Sequence, residues 1–257
     1  MDVALITVGD ELLDGDTVNT NANWLAEQLT ERGVDVRRIL SVPDEHETVA
    51  TAVAEYHDLF DAVIVTGGIG GTPDDVTMDA VATAFGRKMT VQETALAAVN
   101  QRLAELAERL PDLDVDIDPE AEAALPARSR PLLNEAGLAP GCVIQDVYVL
   151  PGIPSELRAM FEQIAPEFSG DRQSQFLYSI EPEANLVPAL ERTMEKFDVA
   201  VGCYPDRKAG HNRLKITGTN ATTVTAATNW LRETVNASET PVSRNTDGAN
   251  AANDPQE

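Results

Sequence analysis

Four glycines in five residues, Gly67, Gly68, Gly70 and Gly71, followed by Thr72-Pro73-Asp74-Asp75, form the stretch of this sequence best equipped for chemistry. Lacking Cβ atoms, such a loop lets backbone N–H groups approach a ligand and converge on an anion such as phosphate. The adjacent carboxylates of Asp74 and Asp75 suit a divalent cation that bridges to a phosphate oxygen. A second acidic pair, Asp10 and Glu11, is followed by Asn19 and Asn21, and then by Asp44; Pro151-Gly152-Ile153-Pro154-Ser155-Glu156 forms a further polar loop. The set is rich in carboxylates and poor in bases. It points to metal-assisted chemistry on a phosphoanhydride, with carboxylates placing the ion and main-chain N–H groups holding phosphate. The alternative is a tight strand-to-helix turn in which Asp75 merely caps the helix that follows.

Other chemistries lack their residues. The three histidines, His46, His57 and His211, fall outside these loops, and Ser155 lies in no GxSxG setting, so a serine–histidine triad is unsupported. The glycine spacing departs from GxGxxG, and the loop contains no lysine for a Walker A motif.

The elements that must position these residues follow from the hydrophobic pattern. Residues 3–8 and 63–66 are near-continuous apolar runs, as expected of strands buried on both faces of a parallel sheet. Residues 34–40 read as another strand. Helical periodicity follows each strand: Trp24, Leu25 and Leu29; then Val49, Val53 and Tyr56 behind a capping-box-like Asp44 and Glu47; then residues 76–85 and 92–110. Residues 142–144 and 147–150 suit a strand pair or a bulged strand, ahead of the helical face Leu157, Met160, Phe161 and Ile164. Alternation of this kind predicts an α/β fold, a three-layer α/β/α domain with a mostly parallel sheet over residues 1–169. Its loops after residues 8, 40, 66 and 150 should meet at one sheet edge. Residues 170–236 predict a small α+β domain in the order βαββα, and 237–257 a disordered tail. Residues 112–122, acidic with interspersed proline, read as a solvated excursion. Arg207 and Lys208 read as a solvated hairpin loop in preference to a phosphate site.

The chain has 257 residues with 43 acidic against 19 basic ones, a formal net charge of -24. That balance argues against nucleic-acid binding, which needs clustered Lys and Arg. It also suggests a halophilic cytosol, because molar salt screens self-repulsion over about 3 Å. Stability should therefore rise between dilute buffer and molar salt, and a denaturation series showing no change would exclude that adaptation. Cys142 and Cys203 lack CxxC spacing and read as small core residues in a reducing compartment. The N-terminus reads neither as a signal peptide nor as a membrane span, so a cytoplasmic protein with no membrane partner is expected.

Four ordered motifs carry a resemblance: Gly9-Asp10-Glu11-Leu12-Leu13, Asn19-Thr20-Asn21 leading into Trp24, Thr66-Gly67-Gly68-Ile69-Gly70 leading into Thr72-Pro73-Asp74-Asp75-Val76-Thr77, and Leu150 through Glu156. They look like the molybdopterin-binding domain family (MoaB/MogA-like). Within it they most resemble the N-terminal branch of competence/damage-inducible protein A (CinA), without its C-terminal nicotinamide-nucleotide amidohydrolase domain. The resemblance implies two activities. One, taken as the main expectation, is metal-dependent hydrolysis of ADP-ribose to AMP and ribose 5-phosphate. The other is molybdopterin binding and adenylylation in molybdenum cofactor biosynthesis; a third reading is a silent pterin- or nucleotide-binding module. Asp44 and Asp75 match positions that are functional in the relatives. The expected roles are catalysis for Asp75 and Asp44, and a divalent cation on Asp74, Asp75, Asp10 and Glu11. Ligand contact is expected from Gly67, Gly68, Gly70, Gly71, Thr72, Asn21, Pro151 and Gly152. The expected partner is a small nucleotide or pterin, and the expected assembly a homo-oligomer.

Overall fold

The structure, a computed structural model, describes residues 1–110 and 117–242. The chain divides into two compact units, Met1–Gly170 and Asp171–Glu257.

In the first unit the elements in chain order are β1 (Asp2–Val8), α1 (Asp10–Leu13), α2 (Thr20–Glu31), β2 (Asp35–Val42), α3 (His46–Leu59), β3 (Ala62–Thr66) and α4 (Thr77–Ala84). These are followed by β4 (Met89–Val91), α5 (Glu93–Arg109), α6 (Pro119–Glu122), β5 (Ala124–Pro126), β6 (Arg130–Leu132), β7 (Gly141–Ile144), β8 (Val147–Leu150) and α7 (Pro154–Ile164). The main sheet has the order β2-β1-β3-β8-β7-β6, with β2, β1, β3 and β8 parallel and β7 antiparallel to both its neighbours. This is the expected α/β fold with a mostly parallel sheet.

Alternation along the strands fills both faces, as a twofold side-chain period requires. Ala4, Ile6, Val63 and Val65 pack with Val49, Val53, Val81 and Val99 of α3, α4 and α5. Val3, Leu5 and Ile64 pack with Leu25 and Leu29 of α2 and with Leu157, Phe161 and Ile164 of α7. Each fully buried large side chain contributes about 1.5–3 kcal/mol relative to exposure. Helices thus lie on both faces, and the chain turns to opposite faces on leaving β1 and β3. That switch opens a crevice beyond the carboxyl ends of these two neighbours.

Several local expectations are corrected. Residues 10–13 form a one-turn helix, closed by the Asp14 N–H on Asp10 O at 2.9 Å, in place of an open acidic loop. The short β4–β5 ladder and β6 went unread because three-residue strands carry no usable period. Of the two readings of residues 142–144 and 147–150, the strand pair holds: they are two strands of a hairpin, with Gln145 at φ 51° in its turn.

The second unit runs β9 (Gln173–Ser179), α8 (Glu183–Lys196), β10 (Ala200–Asp206), β11 (His211–Gly218), α9 (Ala221–Thr234) and β12 (Ala237–Ser238). Its antiparallel sheet has the order β10-β11-β9-β12, the split βαβ arrangement. Leu177, Leu214 and Ile216 face Leu186, Leu190, Val224 and Leu231 of the two helices. The tail expected to be disordered from residue 237 instead begins with β12, whose two residues pair with Ser179 and Tyr178. Two residues are too few to show a pattern. The remainder of that tail from 243, and residues 111–116 of the acidic excursion, lie outside the described residues. Among the described residues no helix is long and apolar enough to cross a membrane.

Candidate functional site

The crevice at the β1–β3 switch is floored by the glycine loop. Gly67 leaves β3 at φ 100°, and a Cβ there would fall on the carbonyl oxygen of Val8, well under 3.0 Å away. Gly68 follows at φ 63°, and a Cβ on it would sit 2.6 Å from Thr77 Oγ1 and 3.4 Å from Asp44 Oδ1. Both positions need a residue free to adopt the left-handed region, and both leave backbone bare toward the crevice. Thr77 itself is fully buried, and its hydroxyl has no hydrogen-bond partner among the described residues.

The other loops are tied to this floor. Gly67 N–H donates to Leu150 O at 3.2 Å, and the buried Thr66 hydroxyl donates to Pro151 O at 2.7 Å. Asn21 Nδ2 donates to Gly152 O at 2.6 Å, joining the start of α2 to the loop after β8. Asn19 caps α2 through Ala22 N–H and turns its Nδ2 to Thr7 Oγ1 at 2.9 Å, fixing the helix to β1.

Asp44 does not cap α3, which starts at His46 with no side-chain cap. Its Oδ2 accepts the Asp10 N–H at 2.9 Å, and its own N–H donates to Asp10 Oδ1 at 3.3 Å, so the loops after β1 and β2 clasp each other. Burial pushes the Asp44 carboxyl up, and the carboxylates of Asp10, Glu11 and Asp74 push it further, against the pull of the Asp10 N–H.

Nor is Asp75 a helix cap, because α4 begins two residues later after Val76. Its Oδ2 accepts both the N–H of Thr72, at 3.0 Å, and the Thr72 hydroxyl, bracing the glycine loop in a tight turn. Asp75 is thereby a structural member of the loop as well as a group at the cavity wall.

Two cavities meet across this loop. The smaller, about 390 Å³, is lined by Gly67, Gly68, Asp44, Asp74 and Glu11, together with Asn21. The larger, about 840 Å³, takes Gly70, Gly71, Thr72 and Pro151 as one wall and the apolar Met78, Met89, Leu125 and Leu138 as another. Gly68, Asp75, Gly152 and Ile153 line both. Asp10 lines neither and acts through Asp44. Glu122, from the segment read as a solvated excursion, lies in the larger cavity, where burial and then Asp75 raise its carboxyl. Nothing in its local sequence gave that away.

Among the described residues no three Asp, Glu, His or Cys side chains stand together so as to hold a metal ion. The four carboxylates expected to bind a divalent cation, Asp10, Glu11, Asp74 and Asp75, therefore make no protein-only site, since Asp75 is turned onto Thr72 and Asp10 onto the Asp44 backbone. Glu11, Asp44, Asp74 and Asp75 nevertheless all line the smaller cavity.

A doubly wound sheet with a glycine-floored crevice at its switch point is a ligand-binding α/β domain of a familiar class. The family model for the probable molybdopterin binding domain matches residues 4–170, and the chain belongs to that family. Residues 172–242 match the model for the middle domain of FAD synthase. A Pyrococcus horikoshii protein is 39% identical over 211 residues, 78% of this chain and 83% of the relative. A CinA-like protein of Citrifermentans bemidjiense is also 39% identical, over 66% of this chain and 41% of its own length. The crystal structure of the protein CinA from Thermoplasma acidophilum superposes with a TM-score of 0.57 at 32% identity, covering 65% of this chain and 97% of that one. These findings correct the main functional expectation. The matched family is described by molybdopterin binding, and ADP-ribose hydrolysis gives way to the molybdopterin reading.

Proposed function

We propose that the Met1–Gly170 unit is an enzyme of molybdenum cofactor biosynthesis that binds molybdopterin and transfers an adenylyl group to its phosphate. The observation that carries this reading is the pair of adjoining cavities, one smaller and glycine-floored, the other larger with one apolar wall, sharing Gly68, Asp75 and Gly152 as a common wall. The glycine-floored cavity suits a nucleotide polyphosphate, and the apolar wall of the larger one suits a pterin ring. In the reaction, a phosphate oxygen of molybdopterin attacks the α-phosphorus of ATP. The bond from that phosphorus to the bridging oxygen of the β-phosphate breaks, and pyrophosphate leaves.

The chain's residues support this reading. Gly67 and Gly68 let main-chain N–H groups approach the phosphates, while the unpartnered Thr77 hydroxyl lies buried beneath Gly68. Asp44 and Asp74, with Asp75 at the shared wall, would hold a divalent cation carried in with the nucleotide; bound there, it would neutralise charge developing on the phosphates. Asp75 keeps the Thr72 turn in register with both cavities.

The test is pyrophosphate release from ATP in the presence of molybdopterin and a divalent metal, together with calorimetric titration of each ligand. Pterin-dependent pyrophosphate release is expected. Asp75→Ala should lower kcat/KM about a hundredfold, the usual cost of letting reacting groups shift by an ångström, with the fold unchanged. Absence of both pterin binding and pterin-dependent release would overturn the proposal.

A further inference from the structure

The strong negative charge of the chain is not shared evenly. Residues 171–257 carry nine of the 19 basic residues against twelve acidic ones, a net charge of -3 out of -24, so the first unit holds most of the excess. Exclusion of nucleic acid from whole-chain charge therefore speaks for the first unit alone.

One face of the second unit's sheet packs on α8 and α9 through Leu177, Leu214 and Ile216. Register places Phe176 opposite Lys215, and Tyr178 opposite Arg213, which in turn stands opposite Tyr204. These five side chains occupy the other face. They are not apolar cover for a core: Phe176 remains 37% and Tyr204 49% exposed. The Arg213 guanidinium lies 5.6 Å from both the Phe176 and the Tyr204 rings, and Lys215 Nζ lies 5.8 Å from Phe176. Among the described residues no carboxylate pairs with Arg213 or Lys215. Burial and then the neighbouring Arg172 and Arg213 charges push the Lys215 ammonium down, which shows cations crowded together.

We propose that this open sheet face, carrying Phe176, Tyr178, Tyr204, Arg213 and Lys215, is a stacking platform for single-stranded RNA. Aromatic rings and guanidinium planes on the two central strands, β9 and β11, and on β10 present flat π surfaces to bases, while the cations meet phosphodiesters. Four-stranded sheets that bind single-stranded RNA stack two or three bases on such aromatics. A free mononucleotide would touch an open face from one side only, whereas small-molecule sites enclose most of their ligand. A strand crossing the face engages several platforms at once. Added salt screens repulsion from the acidic first unit and the phosphate contacts alike, leaving base stacking.

The test uses the full chain and a fluorescently labelled ten-nucleotide single-stranded RNA, followed by anisotropy at low and molar salt. Saturable binding is expected at low salt, falling as molar salt screens the phosphodiester contacts. It should weaken about tenfold in each of Phe176→Ala, Tyr204→Ala and Arg213→Ala, the usual cost of losing one stacked base. Arg192→Ala, on the helical side, should bind as wild type, and circular dichroism checks that each variant folds. A duplex of the same sequence should bind at least about tenfold more weakly, since its bases are already stacked. No saturable binding, equal binding by the three variants, or equal competition by polyglutamate or AMP would each overturn the proposal. So would a change in self-association on substitution without RNA binding, which would make the face a contact between copies. Failure here leaves the adenylyl-transfer reading untouched, because that assay depends on the first unit.

Discussion

Gly67→Ala is expected to lower the melting temperature by about 5–15 °C and to abolish ligand binding in the first unit. The residue occupies φ 100°, where an L side chain is strained, and its Cβ would be driven into the Val8 carbonyl oxygen. Neither atom can yield cheaply: Val8 ends a strand paired on both sides, and Gly67 N–H is held by Leu150 O. The strain of the left-handed region costs about 1–2 kcal/mol, and forcing extra volume into a packed site about 1–3 kcal/mol more. Gly15→Ala separates the two terms, because Gly15 has φ 80° but nothing within 4 Å of the place its new methyl group would take. That control should lose only the conformational part and keep binding. Scanning calorimetry measures both, and a Gly67→Ala protein that melts with the wild type would contradict the close approach of β1 and the loop.

Asp44→Asn is expected to separate stability from activity. Turnover in the adenylyl-transfer assay should fall about a hundredfold, at the upper end for a group that orients others around an ion. Stability at neutral pH should not fall with it. The native Asp44 carboxyl lies above its ordinary value of 3.8, mainly through burial and then through Asp10, Glu11 and Asp74. A raised native pKa means that the folded state binds this proton more tightly than the unfolded state. The associated stability is fully present below the unfolded value and is lost as pH rises through the native one. Asparagine keeps an acceptor for the Asp10 N–H and never ionises, so the variant should match the wild type in acid and exceed it at neutral pH. Urea denaturation at a series of pH values reads the difference, and a variant less stable than wild type at pH 7 would refute the charge-crowding account.

The buried strands and the βα punctuation were legible because apolar runs of four or more residues admit few other readings. So was the meeting of four loops, since parallel strands place their carboxyl ends at one edge. What pattern could not supply was side-chain direction. Asp44 three residues before Glu47 reads as a capping box, yet Asp44 turns to Asp10. Asp75 before a helical run reads as a cap or a metal ligand, yet its carboxylate first satisfies Thr72. Glu122 reads with its solvated neighbours because the loop it lies against, at Gly71, is distant in sequence. The aromatic and basic residues of β9, β10 and β11 lie on three separate strands and become one surface only through their register.

The bonds from residues 150–152 to the crevice floor also govern when the crevice comes into being. Thr66 reaches Pro151 across 85 residues of chain, and Asn21 reaches Gly152 across 131. Such high-contact-order links form late, after the loop entropy of everything between them has been overcome. During synthesis, β1, β2 and β3 can pair while β8 is still unmade, but that nascent sheet lacks the wall that Gly152, Ile153 and Pro154 supply. The binding site and the finished domain are thus one folding event, and ligand added during refolding should accelerate no step before the docking of β8.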